Sequence, residues 1–347
     1  MKITDVRAIY PNWKQLPQGV WQSAFWQIVV CVESDTGLRG YGYGGGEPGA
    51  MVVNRHFKHV INGRKIDTVE HIRDLWEAMY QASLPYGRKG IPVMALSGVD
   101  LALWDLLAKA MAVPVYELVG GLKRESVEAY ATSSALERCR DLGYRSIKPV
   151  LGRRADPEKT ERLIAKARQL FGPDAKVMAD SYMAWDRQRT LEMAQRLGPY
   201  GVYWFEDVLT PDLLDGQAEL RSKIKPIKLA GGEHEFTQFG FEAIAKAGAL
   251  DIWQPDIAWC GGMTAALQIL KLADRVGASV VMHRGGEIWG LHFIVATHCE
   301  PFAETHPHRW EPGAEVLWLD EPQANAGMIS PPDRPGFGVS LNESMLS

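Results

Sequence analysis

Seven polar residues recur along this chain at the spacing of a repeating architecture. Lys148, Asp180, Glu206, Glu233, Asp256, His283 and Glu304 are separated by 32, 26, 27, 23, 27 and 21 residues. Each lies at or near the carboxyl end of a short β-like run, and each interval suits one strand–helix unit. Three acids in a row, Asp180, Glu206 and Glu233, would repel one another in a shared pit unless a cation lay between them. Ligation by carboxylate oxygens alone points to Mg²⁺, a hard ion that keeps positions open for water or substrate. Asp256 and His283 follow, and a carboxylate beside an imidazole fixes its tautomer and strengthens it as a base. Glu304 closes the series; protonated, it would donate a hydrogen bond to an anionic intermediate. One such acid alone reads as a helix N-cap, and Lys148 alone as a solvated lysine. Six at successive strand ends read as the rim of a barrel.

The elements that must hold these residues are β-like runs at 127–131, 146–150, 176–180, 202–206, 227–230, 250–253, 279–283 and 302–305. Helix-like stretches such as 158–170, 190–197 and 262–276 fill most of the gaps. Strands alternating with helices pair in parallel, and eight of them suit a (β/α) barrel. The connection after 127–131 is short, so the first unit is expected to be irregular. Upstream the order differs. Residues 27–33 and 38–43 flank the turn Asp35-Thr36-Gly37 and predict a hairpin. Helical periodicity then runs from 53 to 108, clearest in Val93, Leu96, Val99, Leu103, Leu106 and Leu107. Strands grouped ahead of helices predict an α+β unit, closed by Pro114 and Gly120-Gly121. Beyond Asp320 the chain is punctuated by Pro and Gly, and is expected to pack back on the first unit.

With 46% hydrophobic and 23% charged residues the composition is that of a globular protein, and 347 residues suit two domains or one large barrel with an appendage. A net charge of -4 with interspersed signs disfavours a nucleic-acid binder. Cys31, Cys139, Cys260 and Cys299 show no metal-ligand spacing and read as free thiols of a cytoplasmic protein. No run approaches the roughly 18 consecutive apolar residues of a membrane span, and the start, Met1-Lys2-Ile3-Thr4-Asp5, has no signal-peptide core.

The local contexts of these residues resemble the enolase superfamily, mandelate racemase subgroup. The run Ser97-Gly98-Val99-Asp100-Leu101-Ala102-Leu103-Trp104-Asp105, with Pro114 and Gly120-Gly121 after it, is similar to the family's cap helix. VMADSYMAWD around Asp180, VYWFEDVL around Glu206, LAGGEHE around Glu233, QPDIAWCGG around Asp256 and VVMHRGG around His283 match its ligand and base segments. GEHE, HFIVATHCEPFAE and RPGFGVSLN resemble the sugar-acid dehydratases of the subgroup.

The resemblance implies a modified (β/α)₇β barrel over residues 118–324. It also implies an α+β cap over 1–117, completed by the tail 325–347. It implies Asp180, Glu206 and Glu233 as Mg²⁺ ligands, His283 as base oriented by Asp256, and Glu304 beside the substrate carboxylate; such sites pair a His or Lys base with Mg²⁺. Racemases of the subgroup carry K-x-K after the second strand. Here the run is Lys148-Pro149-Val150, so the second base is missing. The expected activity is dehydration of an aldonic sugar acid, with Lys148 and Glu304 assisting, in a homo-oligomer. Its rivals are epimerisation of a 2-hydroxy acid and a non-catalytic sugar-acid binder. Residues 13–26, rich in Trp and Gln, and 42–49, rich in Gly, are expected to cover the pit and set specificity. Asp186, Asp207, His234, Glu235, His306 and His308 are read as supporting or structural.

Overall fold

The computed structural model describes residues 1–12, 27–151, 156–311 and 313–346. The Trp13-to-Trp26 stretch expected over the pit lies outside them.

The N-terminal region is an antiparallel sheet, Ile3–Ile9 (β1), Ile28–Ser34 (β2) and Arg39–Gly44 (β3), in that order. Helices Glu47–Val52 (α1), Lys58–Ile61 (α2), Val69–Ser83 (α3), Ile91–Ala110 (α4) and Val115–Val119 (α5) follow. The Thr68 hydroxyl caps α3 by accepting from His71 N. Helix α4 is apolar on every side and buried from Val93 to Ala108, as a helix enclosed by other elements must be. Its length and composition would suffice to cross a membrane, yet 89% of its apolar window is buried inside this fold. It lies against β3 through glycines: a Cβ on Gly42 would sit 2.0 Å from Gly98 O. No other residue fits there.

The barrel strands are Val127–Thr132 (β4), Ile147–Lys148 (β5), Ala179–Asp180 (β6), Trp204–Glu206 (β7), Lys228–Gly231 (β8), Ile252–Trp253 (β9), Ser279–Val280 (β10) and Phe302–Thr305 (β11). Neighbours pair in parallel from β6 to β10 and from β11 through β4 to β5. Bridges Ile147↔Val177 and Val150↔Asp180 join β5 to the segment of β6. Glu300 N donates to Val280 O at 3.0 Å and closes the circuit. All eight expected strands are present. Helices Leu136–Asp141 (α6), Pro157–Phe171 (α7), Arg187–Leu197 (α8), Leu214–Lys223 (α9), Thr237–Ala247 (α10), Gly262–Val276 (α11) and Ile288–Ala296 (α12) follow the first seven strands. The first of these is only six residues long, the irregular unit expected from the short connection. Asp186 is structural, accepting from Arg189 N to cap α8.

Side chains two residues apart on a strand share a face, and this periodicity builds the pit. Tyr130, Met178, Trp204, Ile252, Val281 and Phe302 form a buried apolar floor. Two residues further along stand Thr132, Asp180, Glu206, Gln254, His283 and Glu304.

The tail touches both regions. Met328–Ile329 pairs antiparallel with β4, while Gly336 O accepts from Val115 N and Phe337 N donates to Asp105 Oδ1. All four cysteines are buried free thiols.

A cluster of side chains locks α4 onto the start of α11. Asp100 accepts from Thr264 N at 3.0 Å and Thr264 Oγ1 at 2.6 Å, and Ser97 Oγ accepts from Gly261 N at 2.8 Å. Trp76 Nε1 donates to Gly261 O at 2.7 Å. An acid at a helix N-terminus meets unpaired N–H groups and the positive end of the dipole. Burial nevertheless pushes the Asp100 carboxyl up to about 7, against those donors. Asp100→Ala strands the Thr264 donors, and urea unfolding of the variant is expected to show a loss of about 2–4 kcal/mol.

Candidate active site

Lys148 stands at the centre of the rim, with a side chain only 2% exposed. Its Nζ lies 2.5 Å from Glu206 Oε1, 2.9 Å from Glu304 Oε1 and 3.4 Å from Asp180 Oδ2. Burial would lower its pKa, but the charges of Glu206, Glu304 and Asp180 raise it well above the usual lysine range. It is therefore an ammonium ion bridging three acids, not a solvated lysine. Glu206 is fully buried, and its other oxygen accepts from Trp204 Nε1 at 2.8 Å and Gln254 Nε2 at 3.0 Å. Glu304 accepts from Thr132 Oγ1 and from Arg284 N at 2.9 Å. Burial would raise its carboxyl, but Lys148 and the nearby histidines hold it well below the usual range. Glu304 is accordingly ionised in this arrangement, and the donor role that protonation would give it does not apply here.

His283 and Asp256 form the expected dyad. Nδ1 lies 2.8 Å from Asp256 Oδ2, and Asp256 Oδ1 accepts from Ala258 N at 2.7 Å. The strands themselves stop earlier; an isolated parallel bridge, Asp256↔His283, carries the alignment up to the dyad. With Nδ1 so engaged, Nε2 is the ring atom that faces the pit, 3.4 Å from Glu233 Oε2 and 4.0 Å from Glu304 Oε2. Burial would depress the imidazole, but Glu233 and the bond to Asp256 raise it to about 10. Glu233 is the counterpart: burial would raise it, while His283 and His234 pull it down to about 2.

Asp207 and His234 join this group, although they had been read as supporting residues. His234 Nε2 lies 3.2 Å from Glu233 Oε1 and 3.6 Å from Asp207 Oδ2. Together Asp207, Glu233 and His234 offer ligand atoms within 4.8 Å of one another. Each follows directly after a predicted ligand, so strand periodicity turns it away from the pit. At Asp207 the strand has ended, and a φ of 45° redirects the chain. An acid pair followed by a break in the β pattern was the only sequence signal. Glu235 instead points to the cap, where Lys89 Nζ lies 2.7 Å away.

The donor set fits a hard dication. Asp180, Glu206, Asp207, Glu233, Asp256 and Glu304 converge on a region whose principal cations are Lys148 and protonated His283. Burial and the Glu206 charge push Asp180 up to about 8, the mark of an acid short of positive charge. The family model of the mandelate racemase / muconate lactonizing enzyme N-terminal domain matches residues 3–120. That of the enolase C-terminal-domain-like family matches residues 131–345. The chain belongs to the enolase superfamily, in its mandelate racemase subgroup.

An L-rhamnonate dehydratase of Saccharopolyspora erythraea is 38% identical, the match covering 96% of this chain and 88% of that protein. Rhamnonate dehydratase from Gibberella zeae, solved with Mg, superposes with a TM-score of 0.89 at 29% identity, over 99% of this chain and 95% of the other. The 3,6-anhydro-D-galactonate cycloisomerase of Zobellia galactanivorans gives 0.87 at 26% identity, covering 100% and 98%. A modified (β/α)₇β barrel with an α+β cap is thus this superfamily's architecture and this chain's.

If Lys148 is the ion that holds the rim acids together, Lys148→Met strands three buried carboxylates. Urea titration in the presence of a chelator is expected to show a loss of about 3–5 kcal/mol.

Proposed function

We propose that this chain is a Mg²⁺-dependent lyase that dehydrates an aldonic sugar acid of the rhamnonate type. The observation that carries the reading is the His283–Asp256 dyad, with Nε2 facing a pit of buried carboxylates that fits a dication. The rhamnonate dehydratase relatives support it independently. Asp180, Glu206 and Glu233 would hold Mg²⁺, with Asp207 and His234 beside them; when bound, the ion supplies charge stabilisation for a substrate carboxylate and the oxyanion derived from it. The division into a cap of residues 1–117 with the tail 325–347, and a barrel of 118–324, belongs to the same reading.

The chain's own residues then act as follows. His283 Nε2 takes the proton from the carbon next to the carboxylate while Asp256 holds Nδ1, fixing tautomer and ring orientation. Only neutral imidazole can accept that proton. Ligation of a cation by Glu233 would remove the charge that most raises His283, so metal binding and base function are linked through one carboxylate. Lys148 lies close enough to the same group of acids to donate to an ene-diolate oxygen. The 3-hydroxyl leaves with a proton, for which protonated His283 is the nearest source, and the enol ketonises to a 2-keto-3-deoxy acid.

A two-base racemase is supported less well. Val150 stands where K-x-K places its second lysine and is half exposed, whereas Lys148 is committed to three acids.

Aldonic acids screened with Mg²⁺ are expected to yield 2-keto-acid product, and loss of product on chelation is the accompanying control. Glu206→Gln should leave the fold intact and remove most of that activity; wild-type turnover with unchanged Mg²⁺ dependence would exclude Glu206 as a ligand. His283→Asn should abolish both dehydration and exchange of the substrate α-proton with deuterated solvent. A variant that still exchanged the α-proton would assign proton abstraction to another group.

A further inference from the structure

Arg284 follows the base directly and is engaged on three sides. Its main-chain N donates to Glu304 Oε2 at 2.9 Å, and its Nη1 lies 3.8 Å from Asp256 Oδ2, the oxygen that holds His283. Nε and Nη2 clasp Glu287 at 2.9 and 2.6 Å. Nη2 also donates to the Tyr43 hydroxyl at 2.8 Å. Tyr43 comes from β3 of the cap; its ring lies 5.4 Å from the guanidinium carbon and stacks on Trp289 of α12. Arg284 thus touches the dyad, Glu304 and the cap at once.

Two features indicate that the arrangement is held rather than incidental. Arg284 has a φ of 53°, a left-handed conformation that costs a residue with a side chain energy and persists where surroundings enforce it. Behind it, Glu287 also accepts from Arg309 Nη1 at 2.7 Å, and Arg309 Nη2 reaches Glu321 at 3.0 Å. Two arginines and two glutamates balance, so Arg284 contributes little net charge to the rim. What it contributes is fixed geometry, because a planar guanidinium clasped on both edges cannot rotate.

We infer that Arg284 is a positioning residue that makes the alignment of the His283–Asp256 dyad and Glu304 depend on docking of the cap through Tyr43. The inference rests on the proposed dehydratase reading for its kinetic consequences, but not for its structural one. Removing the Tyr43 hydroxyl from β3 of the cap then loosens the catalytic side of the barrel.

The experiment uses the full-length protein as wild type, Arg284→Gln, Arg284→Lys, Tyr43→Phe and the Tyr43→Phe/Arg284→Gln double variant. On the sugar acid that wild type dehydrates, Arg284→Gln is expected to lower kcat about tenfold or more, with KM nearly unchanged. Arg284→Lys should recover only part, since an ammonium cannot clasp Glu287 and Tyr43 together. Tyr43→Phe should lower kcat by a smaller factor, and the double variant should match Arg284→Gln alone, the signature of coupled residues. Independently of any substrate, hydrogen exchange should show that Arg284→Gln reduces amide protection at Tyr41–Gly49 but not in α4. A wild-type kcat in Arg284→Gln, multiplicative losses in the double variant, or unchanged protection of Tyr41–Gly49 would each overturn the inference. Should Arg284→Gln fail to fold, Tyr43→Phe decides it, and an unaltered kcat there overturns it. If wild type dehydrates no sugar acid, the functional reading fails and the hydrogen-exchange arm alone decides the coupling.

Discussion

Buried negative charge at the barrel rim is the constraint on which the rest of this structure depends. Six carboxylates meet where water is largely excluded, and isolated ionised acids are not tolerated there. Lys148 meets part of the demand by contacting three of them, and His283 meets more by becoming an imidazolium between Glu233 and Asp256. A single lysine and one histidine do not balance the group, and Asp180, raised first by burial and then by the Glu206 charge, is pushed up to about 8. The imbalance is what fits the site to a dication.

Such a rim needs rigid support. The apolar floor below it, with Tyr130, Trp204 and Phe302 in mutual ring contact, fixes each strand two residues before its polar group. Trp204 does both tasks, packing in the floor and donating its indole N–H to Glu206. Above the rim, two of the contacts between cap and barrel flank the dyad. Asp100, Ser97 and Trp76 secure the start of α11, just beyond Asp256, while Tyr43 meets Arg284 beside His283. Both halves of the dyad are therefore braced by the cap.

Helix α4 shows how composition alone can mislead about environment. Its apolar circumference is the same property that a lipid-spanning helix has, but here β3, α3 and α11 enclose it. Gly42 and Gly98 permit an approach between backbones that any Cβ would forbid. The signature from Ser97 to Asp105 consequently combines several roles: small residues for contact with the sheet, Ser97, Asp100 and Trp104 for contact with the barrel, and Asp105 for binding β3 and the tail.

Much of this protein was legible in its sequence because strand periodicity and the strand–helix repeat are local properties. The eight strands, the dyad and the order of acids around the rim follow from spacing, since each strand end must face the same pit. Other features were set by tertiary structure. Lys148 read as readily as a solvated residue, and only the convergence of β5, β6, β7 and β11 makes it the central cation. The protonation state of Glu304 was left open by the sequence; the lysine at 2.9 Å, contributed by a strand 156 positions earlier in the chain, keeps it ionised. Asp207 and His234 read as supporting residues in the sequence; alternation would point them away from the pit, and the backbone turn at the strand end brings Asp207 back. Arg284 carried no periodic signal at all. Its role is defined by Tyr43, 241 residues away, and a contact at that range is decided by how two domains dock.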